Sequence, residues 1–139
     1  MSLLVDTGVF YAHHDEDAEH HGDARSALTM VLKGEFGQPY ITNYIYDETV
    51  TLTRYRTGSA DEAKTVSDRL LETDLFRMLR VREKIFNEAV VLFEEYADQS
   101  LSFTDATTVA TADVHSIDYV LSFDDDFDGV VECLDPSSV

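Results

Sequence analysis

Apolar and polar positions along the chain switch between a strand-like and a helical period, and the switches mark its elements. "LLVD" near the amino terminus is an apolar run too short for a helix, and Thr7 and Gly8 behind it offer a strand-to-helix turn. It reads as the central strand. "DAEHHGDARSALTMVLKG" carries Ala18, Ala24, Ala27, Leu28, Val31 and Leu32 at helical spacing, with Gly34 placed to end the helix. "QPYIT" reads as a second strand. "NYIYDETVTLTRYRTG" sets Ile45, Thr49, Leu52 and Tyr55 on one helical face and ends at Gly58. A further helix starts from "SADE", where Ser59 and Glu62 fit a capping box, and carries Ala63, Val66, Leu70 and Leu71. "FRMLRV" alternates as a strand does. "REKIFNEAVVLFEEYAD" is the clearest amphipathic helix, its stripe built from Ile85, Phe86, Ala89, Val90, Leu92, Phe93 and Tyr96. Beyond "QSLSF", Thr104 is expected to cap "DATTVATADVHS", and "DYVLSF" reads as a buried strand.

Strands separated by helices predict a parallel sheet with right-handed crossovers and helices outside it. The expected architecture is a three-layer α/β/α sandwich around a central, mostly parallel sheet, with residues 1–139 forming one domain. No internal repeat, low-complexity segment or linker interrupts the pattern.

Charge changes the picture of the surroundings more than that of the fold. Asp and Glu number 28 against 10 Lys and Arg, a net charge of −18, while 44% of residues are hydrophobic. Lysine is confined to Lys33, Lys64 and Lys84. An acidic, lysine-poor chain with an ordinary apolar fraction reads as a folded protein from a salt-rich cytoplasm, where screening relieves self-repulsion. It argues against nucleic-acid recognition by a broad basic surface. No apolar stretch approaches the roughly 18 residues of a membrane helix and no basic segment precedes "SLLV", so the expectation is a soluble, cytoplasmic protein with no membrane partner. Cys133 is the only cysteine, which excludes an internal disulfide and a thiolate cluster, and reads as a free core thiol.

The apolar run of the first strand stops at Asp6, and a buried carboxylate needs a partner. In a parallel sheet the ligand site lies outside the carboxyl ends of the strands, where strand order reverses. Asp6 ends the first strand and Asp124 follows "YVLSF"; Glu48 lies one turn inside its helix, and Asp105 lies in the first turn of the helix opened by "SFTD". All four are expected at one edge. Any one acid alone reads as a cap or a solvated side chain. As a set they would repel strongly unless a cation sits among them, and oxygen-only ligation favours a hard ion such as Mg²⁺ or Mn²⁺. One or two such ions suit phosphodiester hydrolysis.

"LLVDTGVFYAHHDEDAEHH", "ITNYIYDETVTLTRY" and above all "SFTDATTVATADVHSIDYVLSFDDDF" resemble PIN-domain ribonucleases, most closely the VapC-type toxins of toxin–antitoxin pairs. The resemblance covers nearly the whole chain in order and spacing. It implies a metal-dependent endoribonuclease acting on single-stranded or structured RNA, with a cognate antitoxin and a homodimeric state. Asp6, Glu48, Asp105 and Asp124 match the family's four acids, expected to be catalytic and to bind metal. "FDDDF" departs from the usual pattern, in which a basic or polar residue often holds a middle position. Asp126 is expected as a further ligand and Asp125 as solvent-facing; Thr104 looks like the hydroxyl residue that supports the site.

His13, His14, His20 and His21 form two adjacent pairs in a polar stretch, which favours a solvated surface over a metal cluster. Tyr11, Tyr44, Tyr46 and Tyr55 read as core or dimer contacts before base-stacking residues. Arg54, Arg56, Arg77, Arg80 and Arg82 are candidates for contacts to phosphate or a partner, and equally for surface ion pairs. Two other readings stand beside the ribonuclease: a catalytically weak PIN-like module that binds RNA or another protein, and an α/β phosphatase or phosphodiesterase acting on a small molecule. Four intact acids favour catalysis over the first, and the "SFTD" to "FDDDF" segment disfavours the second.

Overall fold

The computed structural model describes residues 1–72 and 74–139. Strand β1 (Ser2–Val5) leads into helices α1 (Thr7–His14) and α2 (His21–Leu32), then β2 (Gln38–Thr42), α3 (Asn43–Thr57), α4 (Ala60–Glu72) and β3 (Arg77–Leu79). α5 (Glu83–Glu95) and α6 (Phe103–Val114) precede β4 (Tyr119–Leu121) and the two-residue β5 (Cys133–Leu134). Every strand pairing is parallel, in the order β3-β2-β1-β4-β5. β1 is central as expected: Leu3 sits opposite Pro39 on one side and Tyr119 on the other, and Leu3, Leu4 and Val5 are fully buried.

The chain builds outward from β1 to β3 and then crosses back to lay β4 on the other side of β1. Strand order therefore reverses between β1 and β4. Helices α1 to α4 serve the outward crossovers and α5 and α6 the return, which layers helices on both faces as a three-layer α/β/α fold. The main core joins the sheet to Ala24, Ala27, Leu28 and Val31 of α2 and to Val109 and Ala112 of α6. A smaller core of Val81, Ile85, Ala89, Ala106 and Ala110 packs α5 on α6, where alanines let the two helices approach closely. Threonines buried in helices are satisfied locally: Thr49, Thr53 and Thr111 each donate to the carbonyl four residues earlier, at 2.7–2.8 Å.

Several expectations need correction. The helix read over "DAEHHGDARSALTMVLKG" is shorter and preceded by a separate α1, because Asp15 caps α1 and its Oδ1 accepts the Asp17 N–H at 3.0 Å, turning the chain. Ala18 lies in that turn. On α3, Tyr55 is 86% exposed and Thr53 takes the buried position. On α4 the Ser59 hydroxyl accepts the Glu62 N–H at 3.1 Å, but the Glu62 carboxylate reaches His14 instead of returning to the cap, and Leu71 is exposed. The apolar stripe of α5 is only partly covered, with Phe86 and Phe93 exposed. Ser102, not Thr104, caps α6. The histidines are not simply solvated: His14 Nε2 lies 3.1 Å from Glu62 Oε1, His21 Nδ1 lies 2.8 Å from the Ala12 carbonyl, and the exposed His20 stacks on Phe123.

Candidate active site

Asp6 comes directly after β1, and its N–H donates to the Leu121 carbonyl at 3.0 Å, so the β1–β4 ladder carries one residue past the strand and fixes this backbone. Asp6 also opens α1 without using its carboxylate as a cap. The carboxylate is free for another use, yet only 6% of the residue is exposed. Across the reversal point, Ser122 follows β4 and donates its hydroxyl to Asp6 Oδ2 at 2.7 Å. The same hydroxyl accepts the Asp124 N–H at 3.0 Å. Asp124 Oδ1 in turn accepts the Asp126 N–H at 3.0 Å, starting the 3₁₀ turn Asp125–Phe127. One serine thus ties the ends of both strands together.

Asp105 arrives from the opposite side. It is the third residue of α6 and completes a capping box: its N–H donates to Ser102 Oγ at 3.1 Å, and its Oδ2 accepts the Ser102 N–H at 3.0 Å. The cap holds the carboxylate in one orientation. Asp105, Asp124 and Asp126 offer oxygens that all lie within 4.8 Å of one another. Asp6 and Glu48, the latter half-buried on α3, line the same cleft of about 410 Å³. Asp125 is exposed. Thr104 uses its carbonyl to accept the Thr107 and Thr108 hydroxyls. Among the described residues, the only buried side-chain oxygen without a hydrogen-bond partner is Thr7 Oγ1, which belongs to this cleft.

Among the described residues, no arginine, lysine or histidine lines the cleft. Burial therefore pushes the Asp6 carboxyl up to about 7, with the charges of Asp105 and Glu48 adding to the rise and the Ser122 hydrogen bond opposing it. Burial also raises Asp105, against its two bonds to Ser102, and Asp124 and Glu48 push the same way. Asp126 is raised by desolvation and then by Asp124 beside it. A group of carboxylates without a fixed counter-charge, all hard oxygen donors, fits a divalent cation of the Mg²⁺ or Mn²⁺ type and offers nothing to a soft metal. Sequence reasoning missed Ser122 and Thr7. Ser122 was signalled by its place two residues before Asp124, while Thr7 had no signal beyond its position next to Asp6.

A family model for the PIN domain matches residues 3–132. The chain is 26% identical over 114 residues to a VapC ribonuclease of Archaeoglobus fulgidus, covering 81% of this chain and 71% of that protein. Among solved structures it superposes on VapC20 of Mycobacterium tuberculosis, described as a sarcin–ricin-loop-cleaving toxin, with a TM-score of 0.79 and 25% identity over 94% of this chain and 97% of that one. The fold is shared with a toxin–antitoxin complex from Klebsiella pneumoniae, at a TM-score of 0.67 and 20% identity over 96% and 97% of the two chains. The family match runs from the second residue of β1 to the residue before β5 and takes in every acid that lines the cleft, so the chain belongs to the PIN-domain family.

Proposed function

We propose that this protein is a metal-dependent endoribonuclease, the toxin of a toxin–antitoxin pair, with Asp6, Glu48, Asp105 and Asp124 as its catalytic acids and Asp126 as a further metal ligand. The observation that carries the reading is the acidic cleft at the reversal point, with three carboxylates within 4.8 Å of one another and two more in its wall. Similarity to a VapC ribonuclease and to toxin structures supports RNA as substrate and an antitoxin as partner. A second copy of the chain is the further partner in this reading; the exposed Phe86, Val91 and Phe93 on α5 are consistent with a protein contact there. Among the described residues no helix is long and apolar enough to cross a membrane.

Asp105, Asp124 and Asp126 would hold the cation, with Asp6 and Glu48 completing the charge around it. A bound Mg²⁺ or Mn²⁺ supplies charge neutralisation at the phosphate and a lowered pKa for an attacking water. The chain's own residues do the positioning. Ser122 locks Asp6 and Asp124 relative to each other, and the Ser102 box locks Asp105, so the oxygens need no reorganisation when charge develops. Thr7 Oγ1 has an unused hydroxyl to offer to a phosphate oxygen or to water. Hydrolysis then forms a bond from water oxygen to phosphorus, breaks the bond to the leaving ribose oxygen, and delivers a proton to that oxygen.

The test is cleavage of single-stranded and structured RNA with Mg²⁺ or Mn²⁺, in EDTA, and by Asp105→Asn and Asp124→Asn. Cleavage by the wild type with metal alone, and its near-abolition in both variants with unchanged circular dichroism, is expected. Cation binding with no cleavage would favour the weak binding module instead. Faster turnover of a small phosphate ester than of RNA would favour the small-molecule enzyme.

A further inference from the structure

The chain has seven arginines and three lysines against 28 acids, and three of the arginines meet in one place. Arg25 on α2, Arg56 on α3 and Arg69 on α4 line a second cleft, of about 820 Å³, together with His13, His14 and His21. Four acids border it too, and two of them are already engaged. Asp15 accepts the Tyr11 hydroxyl at 3.1 Å and the Asp17 N–H at 3.0 Å, and Glu62 faces His14. Glu16 and Asp17 are exposed at the margin. Among the described residues none of the three guanidinium groups forms an ion pair. Arg56 instead lies over the Tyr11 ring, 4.8 Å from its centroid. Burial lowers the half-buried His13, and the charges that lower it further are Arg69, His21, Arg25 and His14, so the charge acting at this point of the cleft is positive although the protein is strongly negative.

The two clefts share walls. α1 gives Thr7 and Gly8 to the acidic cleft and Tyr11 and His13 to the basic one; α3 gives Glu48 and Leu52 to the first and Arg56 and Thr57 to the second. From Glu48 to Arg56 the rise along α3 is roughly 12 Å, which a few nucleotides span. We infer that the basic cleft binds the phosphodiester backbone of a nucleic-acid strand whose scissile phosphate lies in the acidic cleft, an inference that rests on the ribonuclease reading. A polyanion is repelled by most of this surface, so a strand must be held where unpaired guanidinium groups concentrate, and their planar forks match phosphate oxygens. An acidic peptide could answer the same charge, but it would have no use for a wall continuous with the hydrolytic cleft.

The experiment measures binding of labelled single-stranded RNA by the full chain in EDTA across a series of KCl concentrations. Arg25→Gln/Arg69→Gln is compared with Lys33→Gln/Lys84→Gln, which removes the same charge from two exposed positions outside both clefts. The first pair should weaken binding at least tenfold and flatten the slope of log affinity against log salt by about 1.4, two contacts at roughly 0.7 each. The second pair should change affinity less than threefold. Arg25→Lys/Arg69→Lys should restore the slope, and circular dichroism checks the fold of each variant. Unchanged binding by the first pair, or equal losses in both pairs, would overturn the inference. So would loss of affinity for a labelled oligoglutamate with RNA affinity intact, which would assign the cleft to an acidic protein partner. A pair-specific loss of RNA binding in a protein that cleaves no RNA would uphold the cleft and sink the ribonuclease reading; cleavage without that loss would do the reverse.

Discussion

Asp6 gives the sharpest quantitative test, because its carboxyl is buried, uncompensated and titrates near neutrality in the folded chain. The ordinary value is 3.8 and the folded value about 7. Between those two pH values the folded chain holds a proton at this site that the unfolded chain has released, so stability falls as pH rises through the window and the whole cost is present above about 7. Three pH units at ~1.36 kcal/mol each give a ceiling of about 4 kcal/mol. Asn removes the charge and keeps an oxygen that can accept from Ser122. Urea unfolding of the wild type and Asp6→Asn should be compared from pH 4 to pH 8 in EDTA at about 1 M KCl, where the Debye length is ~3 Å and the remaining acids contribute little at long range. The two should coincide near pH 4, and Asp6→Asn should become the more stable by an increasing margin, approaching about 4 kcal/mol at pH 8. Saturating Mn²⁺ should narrow or invert the gap, since only the wild type regains a counter-charge at this position. Parallel pH profiles, or an Asn variant less stable at pH 8, would refute the reasoning.

Three other outcomes are expected from the same structure. Ser122→Ala removes the hydroxyl that donates to Asp6 and accepts from Asp124; it should cost about 1–3 kcal/mol, raise the Asp6 carboxyl further and lower RNA cleavage, as read by denaturant titration and initial rates. Gly37→Ala should destabilise by about 2–4 kcal/mol in the same titration, because Gly37 has φ +78° and a Cβ there would run into the Met1 carbonyl that sets the β1–β2 register. Cleavage should persist or rise between about 0.2 M and 2 M KCl at fixed divalent metal, since few phosphate contacts give a shallow slope and screening favours so acidic a fold; steep loss in a protein that stays folded would contradict this.

The sheet and the acids were legible because short apolar runs ended at them: "LLVD" and "YVLSF" are strands by length and composition, and a ligand site opens beyond the carboxyl ends of parallel strands at the reversal point. β5 was not legible. Two residues carry no periodicity, and Cys133–Leu134 is a strand only because β4 is beside it. α1 escaped because Val9, Phe10, Tyr11 and Ala12 are buried in succession, so no polar face marks its turn. α6 offered two hydroxyls, Ser102 and Thr104, and the one three residues before Asp105 won because a capping box needs that spacing. α5 looked fully amphipathic, yet Phe86 and Phe93 gather around Phe103 at its margin and stay partly exposed. The meeting of Arg25, Arg56 and Arg69 from three helices has no local signature at all.

The most direct measurement of the central claim, that the acids at the β1–β4 edge hold a divalent cation, is calorimetric titration of Mn²⁺ into the wild type, Asp124→Asn and the exposed control Asp113→Asn at about pH 6 and high KCl. The wild type and Asp113→Asn should bind alike and release protons as the raised Asp6 carboxyl ionises, while Asp124→Asn should bind at least tenfold more weakly. Equal affinity in all three proteins, or no Mn²⁺ binding by the wild type, would contradict it.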